Sequence, residues 1–286
     1  MEQGHDVGGG QTRTRIPLTR CNFFDMALRT KTYFLSDLHL GAAYLDRPRL
    51  REQMVVDFLN TIEPDAKSLY LVGDILDYWF EYRTVVPRGH VRFFGALAAL
   101  ADKGVKITWL IGNHDIWLFD YLRDEIGIEV VDGSVTTQID GRNFFISHGD
   151  GLGRLAPSFR FIRSLFRNRF CQRLYSAIHP RWTVGFAYRW SASNRAYDPN
   201  DRPVYEGPVR RQVENWAEEY IAAHPDTDFI VLGHHHVMVD KTLCDHTRLV
   251  ILGDWIYNYS YAVFDGQNFE LKHFARVNNQ FNNISQ

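Results

Sequence analysis

Short apolar runs alternate with segments of helical periodicity through the first half of the chain. The apolar runs cover Thr32 to Ser36, Ser68 to Val72 and Lys106 to Ile111, and helical spacing covers Arg49 to Ile62 and Val91 to Ala101. Strands that alternate with helices are typical of α/β proteins. We therefore predict an α/β fold, with each of these strands ending in a polar motif.

The second half adds a hairpin and closing strands. Ser134 to Ile139 and Asn143 to Ser147 flank Asp140-Gly141, a pair that favours a two-residue hairpin turn, so antiparallel strands are expected here. Three further apolar runs predict strands at Asp228 to Leu232, Leu249 to Leu252 and Tyr259 to Phe264. The predicted fold class is therefore mixed, α/β with α+β character.

The chain divides into four predicted parts. Residues 1–30 contain a Gly-Gly-Gly run and no apolar core like that of a signal peptide, so we expect a disordered extension. Residues 31–150 and 209–275 form the predicted catalytic domain. Residues 151–208, where strand patterns stop, form a predicted inserted helical cap, and residues 276–286 form a polar tail.

Composition narrows the class of protein. Of the 286 residues, 45% are apolar and 23% charged, and no stretch reaches the roughly 20 apolar residues of a membrane-spanning helix. A net charge of −2 argues against a nucleic-acid-binding protein. The cysteines Cys21, Cys171 and Cys244 lie far apart, which favours a reducing, cytoplasmic location.

Five polar motifs follow the predicted strands and carry the chemistry. Open α/β sheets build their sites at the carboxyl ends of strands, so we expect the motifs to converge. A glycine beside several of these residues predicts a sharp backbone turn. The candidate metal ligands in the motifs are Asp37, His39, Asp74, Asn113, His148, His234 and His236.

Seven oxygen and imidazole ligands exceed the need of one ion. They suit two divalent ions, chosen from Mn, Fe, Zn, Co or Ni, that share one carboxylate and act on a phosphoester. Asp74 is the candidate bridging ligand, and we expect Mn²⁺. Asp77, Asp115 and Asp150 are interpreted as caps or as partners that orient a metal-bound imidazole.

The motifs Asp-x-His, Gly-Asp, Gly-Asn-His-Asp, His-Gly-Asp and Gly-His-x-His resemble those of the calcineurin-like metallophosphoesterases, from about Tyr33 to Phe264. The resemblance implies a four-layer αββα sandwich. It implies one ion on Asp37, His39, Asp74 and His236, and a second on Asp74, Asn113, His148 and His234. It also implies that His114 is a catalytic donor to phosphate and that His235 points away.

Within that family, Asp37 to Gly41, Gly73 to Trp79 and the arginine-rich insertion after Asp150 resemble the UDP-2,3-diacylglucosamine pyrophosphohydrolases of lipid A biosynthesis. That resemblance implies hydrolysis of UDP-2,3-diacylglucosamine to UMP and 2,3-diacylglucosamine 1-phosphate. The best-known branch has Arg where this chain has His114, which indicates a divergent branch.

The composition of the predicted cap indicates the class of substrate. Residues 154–195 contain nine Arg and no Asp or Glu, interleaved with aromatic residues. This pattern favours an anionic amphiphile and peripheral contact with the cytoplasmic face of the inner membrane. Asn113, His114, Ser191, Asn194 and Arg195 are candidate substrate contacts. Alternatively, the cap packs its aromatic residues inward and solvates its arginines.

Two other functions are compatible with parts of the pattern. The same metals could serve a phosphodiesterase or phosphatase acting on soluble nucleotides or another phosphoester. A noncatalytic scaffold could keep the fold, but the Asp, Asn and His residues are intact at every motif, which argues against it. The sequence therefore favours a metal-dependent hydrolase.

Overall fold

The structure is a computed structural model that describes residues 29–153, 157–194, 202–244 and 246–274. These ranges contain eleven strands and seven helices. The strands are β1 (Lys31–Leu35), β2 (Ala66–Val72), β3 (Lys106–Leu110), β4 (Glu129–Val131), β5 (Ser134–Ile139), β6 (Arg142–Ser147), β7 (Phe229–Leu232), β8 (Met238–Leu243), β9 (Thr247–Leu252), β10 (Ser260–Phe264) and β11 (Phe269–His273). The helices are α1 (Pro48–Ile62), α2 (Val91–Asp102), α3 (Tyr121–Ile126), α4 (Pro157–Arg167), α5 (Arg169–Ser176), α6 (Pro180–Asn194) and α7 (Gly207–Ala223).

The first sheet has six strands in the order β11-β10-β1-β2-β3-β4. Strands β1 to β4 run parallel, whereas β10 pairs antiparallel with β1 and β11 with β10. Parallel neighbours require crossover connections, and α1 and α2 supply them between β1, β2 and β3. The carboxyl ends of these three strands therefore lie at one edge of the sheet.

The second sheet has five strands in the order β5-β6-β7-β9-β8. Its central strands β6, β7 and β9 are parallel, and the edge strands β5 and β8 are antiparallel to their neighbours. The polar motifs that follow β6 and β7 consequently leave this sheet from the same edge.

The two sheets pack face to face, with helices on both outer surfaces. Phe34, Phe144 and Val231 are fully buried between the sheets, together with side chains from β2, β9 and β10. Helices α1 and α2 bury Phe58 and Phe93 against the outer face of the first sheet. Helix α7 covers the outer face of the second sheet. This is a four-layer αββα sandwich, so the predicted fold class is confirmed.

Most predicted strands agree with the structure to within one or two residues, but several elements were not predicted. The unpredicted elements are β4, β8, β11, α3 and α7. Strand β4 has only three residues, and β8 alternates between half-buried and exposed positions, so neither gives a strong apolar run. Their hydrogen bonds to neighbouring strands, rather than their own composition, define them.

Helices α4, α5 and α6 form an arginine-rich helical segment, Pro157–Asn194, between β6 and α7. The described part of this segment contains no strand. Across the described ranges, no helix combines the length and apolarity needed to cross a bilayer.

Candidate metal centre

Loops from both sheets meet at the edge where the parallel strands end. The backbone N–H of Asp37 donates to the carbonyl of Gly73 over 3.1 Å, which joins the loops after β1 and β2. In the second sheet, Gly233 donates to the carbonyl of His148 over 3.0 Å. Trp255 donates to the carbonyl of Asp37 over 3.0 Å and so links the two sheets. The motif residues are therefore fixed relative to one another by backbone contacts.

Five of the candidate ligands have left-handed backbone conformations. The φ angles are 53° at Asp37, 44° at His39, 53° at Asp74, 68° at His234 and 55° at His236. Residues with a Cβ atom adopt this region at a steric cost, and such outliers cluster at functional sites. The ligands themselves therefore contribute to the sharp turns after these strands, together with Gly73 and Gly149, whose φ angles are 78° and 108°.

The neighbouring glycines at two motifs have a different role from the predicted one. A Cβ atom on Gly112 would lie 2.3 Å from Oδ1 of Asp74, and one on Gly233 would lie 2.0 Å from Oγ of Ser36. Neither glycine has a left-handed φ angle. The expectation that glycine provides the turn is thus wrong at Gly112 and Gly233, where it instead allows close approach between loops.

The Asp37 carboxylate has one oxygen in hydrogen bonds and one unpaired. Its Oδ2 accepts hydrogen bonds from Ser36 Oγ and from the His234 backbone N–H over 2.8 Å. Its Oδ1 is buried with no hydrogen-bond donor, 3.4 Å from Nε2 of His236 and 3.8 Å from Nε2 of His39. A buried carboxylate oxygen without a partner is costly, so this atom requires a cation or a donor.

Asp74 repeats this arrangement at the centre of the cluster. Its Oδ1 accepts the backbone N–H of His114 over 2.8 Å. Its Oδ2 is buried without a hydrogen-bond donor, 3.6 Å from Nε2 of His39 and 3.4 Å from Nε2 of His148. The unpaired oxygen of Asp74 therefore faces imidazoles from two different motifs.

Three imidazoles present Nε2 to these oxygens because Nδ1 is engaged elsewhere. Nδ1 of His39 lies 3.1 Å from Oδ1 of Asp77, and Nδ1 of His236 lies 3.0 Å from Oδ2 of Asp254. Nδ1 of His148 lies 3.0 Å from the carbonyl of Val72. An acceptor at Nδ1 places the proton there and leaves the Nε2 lone pair for a cation.

Asn113 and His234 complete the side of the cluster that contains His148. The Oδ1 atom of Asn113 lies 3.2 Å from Nε2 of His148. In the absence of metal, a proton on Nε2 of His148 can be donated to this oxygen. A divalent cation bound by both atoms would take the place of that proton. Nδ1 of His234 is buried without a hydrogen-bond partner. A ring nitrogen of His234 lies within 4.8 Å of ligand atoms of Asp74 and His148.

His114 lies next to this cluster but is more accessible. Its side chain is 17% exposed, whereas His39 and Asp74 are fully buried. Its Nδ1 lies 3.0 Å from the carbonyl of Asp77 and 3.4 Å from that residue's carboxylate. His39, Asp77 and His114 come close enough to hold an ion, but both Nδ1 atoms act as donors to Asp77, so we interpret this group as a hydrogen-bond network.

The charges of the buried groups favour the anionic form of the carboxylates. Burial raises the pKa of Asp37, but the charge of His236 and the nearby His39 imidazole outweigh it and hold the pKa below its usual range. For Asp74, burial is likewise outweighed, mainly by the charge of His148, and the pKa is lowered. Burial lowers the pKa of His148, but the charge of Asp74 outweighs it and raises the pKa to about 10.

His234 has the opposite electrostatic character from His148. Burial and repulsion by His148 lower the pKa of His234 to about 3. It is consequently a neutral imidazole, the form that binds metal. Anionic carboxylates and neutral imidazoles without thiolates fit divalent cations of the Mn, Fe, Co or Zn type. The unpaired oxygens of Asp37 and Asp74 provide the position for such cations.

All seven predicted ligands lie in this cluster. The ligand atoms converge in two groups, one from Asp37, His39 and His236 and the other from Asp74, His148 and His234. His235 belongs to neither group. Ser191 and Asn194 belong to the last turn of α6, but their side chains lie outside the described part of the chain, as does Arg195.

Asp254 belongs to the site but was not among the residues predicted from the sequence. This residue is fully buried and contacts His236. It follows β9 as Gly253-Asp254, the same pattern that marks Asp74 after β2. The signal was therefore present in the sequence.

Asp115 has a supporting role that matches its interpretation as a cap. Its carboxylate accepts the backbone N–H groups of Gly112 over 2.7 Å and Ile75 over 2.9 Å, together with the indole N–H of Trp109. These contacts hold the loop after β3 against the loop that contains Asp74. Asp150 accepts a hydrogen bond from Arg163 Nε over 3.0 Å and anchors α4 instead.

Comparison with known proteins agrees with this geometry. Residues 30–238 match the model of a family described as calcineurin-like phosphoesterase. A protein of Porphyromonas gingivalis named UDP-2,3-diacylglucosamine hydrolase is 42% identical over 86% of this chain and 98% of its own length. Proteins with the same name from Nitrosococcus oceani and a Shewanella species are 28% and 25% identical, over 78% and 85% of this chain and 87% and 97% of their own lengths. The chain therefore belongs to the calcineurin-like phosphoesterase family of metal-dependent hydrolases.

Proposed function

We propose that the protein hydrolyses the diphosphate of UDP-2,3-diacylglucosamine to UMP and 2,3-diacylglucosamine 1-phosphate. The observation that carries the reaction class is the pair of buried, unpaired carboxylate oxygens on Asp37 and Asp74, each facing imidazole Nε2 atoms. The substrate is supported by the name of the 42% identical relative, which this chain matches over 98% of that relative's length.

Two divalent ions, with Mn²⁺ as the proposed metal, would be held by the cluster. The first would be bound by Asp37, His39, Asp74 and His236, and the second by Asp74, Asn113, His148 and His234. Asp74 is the proposed shared ligand because its Oδ2 faces both His39 and His148. Ions at these positions would lower the pKa of water and neutralise charge on phosphate oxygens.

In the proposed reaction, a water molecule gives up a proton to the solvent, its oxygen forms a bond to the α-phosphorus, and the bond to the bridging diphosphate oxygen breaks. The lipid sugar 1-phosphate leaves with the bonding electrons. The ligand side chains would hold the ions against which the phosphate is positioned, and the backbone contacts between their loops limit reorganisation during the step. The reaction thus depends on a site that is already assembled before substrate arrives.

His114 is the proposed donor to the phosphate. Its Nδ1 donates to the carbonyl of Asp77, which orients the ring and leaves Nε2 toward the accessible side. In the protonated form, Nε2–H can donate to a phosphate oxygen or to the leaving oxygen. Asn113 and His114 are the proposed substrate contacts at the centre, with Ser191, Asn194 and Arg195 proposed from the sequence alone.

The arginine-rich helical segment contacts the body of the protein near His114. Tyr175 in α5 lies 3.1 Å, oxygen to oxygen, from Tyr78, and its ring stacks on Trp117 with centroids 5.2 Å apart. The indole N–H of Trp117 donates to the carbonyl of Phe166 over 3.0 Å. We propose that residues 151–208 form an inserted cap, which these contacts would hold beside the site.

The outer side of the same segment is both apolar and basic. Phe161, Phe170 and Trp182 are 69%, 68% and 70% exposed. Large exposed apolar side chains among arginines suit contact with acyl chains and anionic head groups. We therefore propose peripheral, reversible binding to a membrane surface through this segment. Sedimentation with vesicles containing anionic phospholipid would show binding, and equal sedimentation with neutral vesicles would contradict it.

The function is tested with purified protein and MnCl₂. We expect kcat/KM for UDP-2,3-diacylglucosamine to exceed that for bis(4-nitrophenyl) phosphate by at least roughly 100-fold, because specific contacts discriminate on that scale. Chelation should abolish both activities, and added Mn²⁺ should restore them. Comparable efficiency on the two substrates would favour a broad phosphodiesterase, and activity that persists after chelation would exclude the proposed chemistry.

A further inference from the structure

A cavity of about 390 Å³ opens beside His236, and nothing in the proposed chemistry so far uses it. Its wall includes Arg202, Tyr257, Asn258 and His273. The arginine-rich helical segment contacts the body of the protein at Tyr78 and Trp117, which do not line this cavity. The cavity therefore adjoins the His236 end of the cluster, away from the contacts that α4 and α5 make with the body of the protein.

We propose that this cavity binds the uridine of the substrate, with the diphosphate across the ligand cluster and the acylated sugar toward the arginine-rich helical segment. This inference rests on the proposed function. The substrate carries uridine at one end of its diphosphate and an acylated sugar at the other, and the surfaces on the two sides of the ligand cluster also differ. Exposed apolar side chains lie on the arginine-rich helical segment, whereas the cavity combines polar and aromatic groups with a few aliphatic ones and has a mainly polar surface.

Arg202 and Tyr257 place two planar groups next to each other in the cavity wall. The guanidinium carbon of Arg202 lies 5.9 Å from the centroid of the Tyr257 ring. Arginine planes and aromatic rings are the groups on which nucleobases stack. Arginine also supplies fixed N–H donors for carbonyl oxygens, and uracil has two such oxygens. The pair thus fits a flat base that accepts hydrogen bonds along its edge.

Asn258 supplies the complementary acceptor. Its Nδ2 donates to the carbonyl of His236 over 3.0 Å and to Oδ1 of Asp254 over 3.2 Å, so both amide hydrogens are used. The remaining Oδ1 can only accept, and the N3–H of uracil is a donor. Asn258 is also joined to the backbone of the candidate ligand His236. A bound base would therefore be positioned relative to the ligand cluster.

The test measures inhibition of bis(4-nitrophenyl) phosphate hydrolysis by UMP and by ribose 5-phosphate, which lacks the base. We expect the wild-type protein to bind UMP at least about tenfold more tightly than ribose 5-phosphate. This is the scale of one base stacked on a planar side chain. In Arg202→Ala and Tyr257→Leu this preference should fall toward one. Arg202→Lys should lose most of it because lysine keeps the charge without the plane.

Arg248→Ala is the matched control. Arg248 makes the same kind of contact, 5.7 Å from the centroid of Phe229, but does not line the cavity, so the preference for UMP should persist. Equal inhibition by UMP and ribose 5-phosphate in the wild-type protein, or a preference that survives in Arg202→Ala and Tyr257→Leu, would overturn the proposal. Because the reporter lacks uridine and lipid, a UMP preference without turnover of UDP-2,3-diacylglucosamine would contradict the proposed function and leave the nucleoside site standing.

Discussion

Asp254 lies 3.0 Å from Nδ1 of His236 and thereby determines which nitrogen of that imidazole faces Asp37. The other oxygen of Asp254 accepts the backbone N–H groups of Tyr257 over 2.8 Å and Asn258 over 2.9 Å. One buried carboxylate therefore orients a candidate ligand and also shapes the loop that lines the adjacent cavity. Its effect on the metal is indirect, through the orientation and basicity of His236.

We expect Asp254→Asn to lower the affinity for Mn²⁺ about 10- to 100-fold, the usual effect of losing such a partner. The amide can present an N–H to Nδ1, which would favour the tautomer with the proton on Nε2. The measurement is a Mn²⁺ titration by calorimetry and by activation of hydrolysis.

Asp265→Asn is the control for Asp254→Asn. Asp265 also accepts two backbone N–H groups, from Gln267 and Asn268, but in an exposed turn. The control should bind Mn²⁺ like the wild-type protein. Equal Mn²⁺ affinity in both variants would mean that Asp254 does not act on the metal.

Asp74→Asn tests the shared ligand. The amide is nearly isosteric and can still accept the backbone N–H of His114, but it removes the negative charge that faces His39 and His148. We expect bound Mn²⁺, measured by elemental analysis, to fall from two ions per chain to one or none, with loss of hydrolysis. A variant that keeps two tightly bound ions would refute the assignment of Asp74 as a bridge.

His114→Gln separates catalysis from metal binding. The imidazole contacts Asp77 rather than the unpaired carboxylate oxygens, so the metal content should remain at the wild-type level. We expect kcat to fall about 10²- to 10⁴-fold, with a smaller change in KM, because a proton donor to the reacting group acts mainly in the transition state. His235→Gln, in a motif histidine outside both ligand groups, should keep most of the activity. Similar losses in both variants would indicate a general disturbance of the loops.

Gly112→Ala and Gly95→Ala form a pair that tests the close approach of the loops. The added methyl group on Gly112 would meet Asp74, including its backbone nitrogen at 2.4 Å, so we expect a loss of roughly 1–3 kcal/mol of stability together with weaker metal binding. Gly95 lies in α2 with open space around it, and alanine there should stabilise the protein by about 0.5–1 kcal/mol. Urea denaturation measures both changes. A neutral effect of Gly112→Ala would show that the loops can separate.

The ligand cluster could be predicted from sequence because its geometry follows from topology. Strands β1, β2 and β3 are parallel, so the motifs that follow them must emerge at one edge, and the same holds for β6 and β7. Convergence of the motifs can therefore be predicted for each sheet without knowing any distance between side chains. An apolar run followed by Asp, Asn or His is sufficient to identify a candidate ligand.

Other features depend on contacts between segments that are distant in the chain. The left-handed conformations of Asp37 and Asp74 and the close approach of Gly112 to Asp74 arise only when the loops pack together. Asp254 could have been recognised by its Gly-Asp pattern, but its role requires the contact with His236, eighteen positions earlier. Short edge strands such as β4 are defined by their neighbours and carry little local signal.

Glu81 gives a prediction about pH and stability that is independent of the ligand cluster. Burial raises its pKa above the ordinary value of 4.5, although the backbone N–H groups of Phe119, Asp120 and Tyr121 oppose this shift by donating to Oε2. Between 4.5 and the raised pKa the folded protein therefore binds more protons than the unfolded chain. Its free energy of unfolding should fall as pH rises through that window and level off above it.

Glu81→Gln removes this titration and keeps an acceptor for the three N–H groups. We expect the free energy of unfolding of the variant, measured by urea denaturation at fixed Mn²⁺ between about pH 4 and about pH 7, to rise relative to the wild-type protein as pH increases. Glu270→Gln, at an exposed position in β11, serves as the control and should follow the wild-type curve. Parallel curves for Glu81→Gln and the wild-type protein would mean that the Glu81 carboxyl has the same pKa in the folded and unfolded states. In that case its contacts with Phe119, Asp120 and Tyr121 would fully offset the cost of burial.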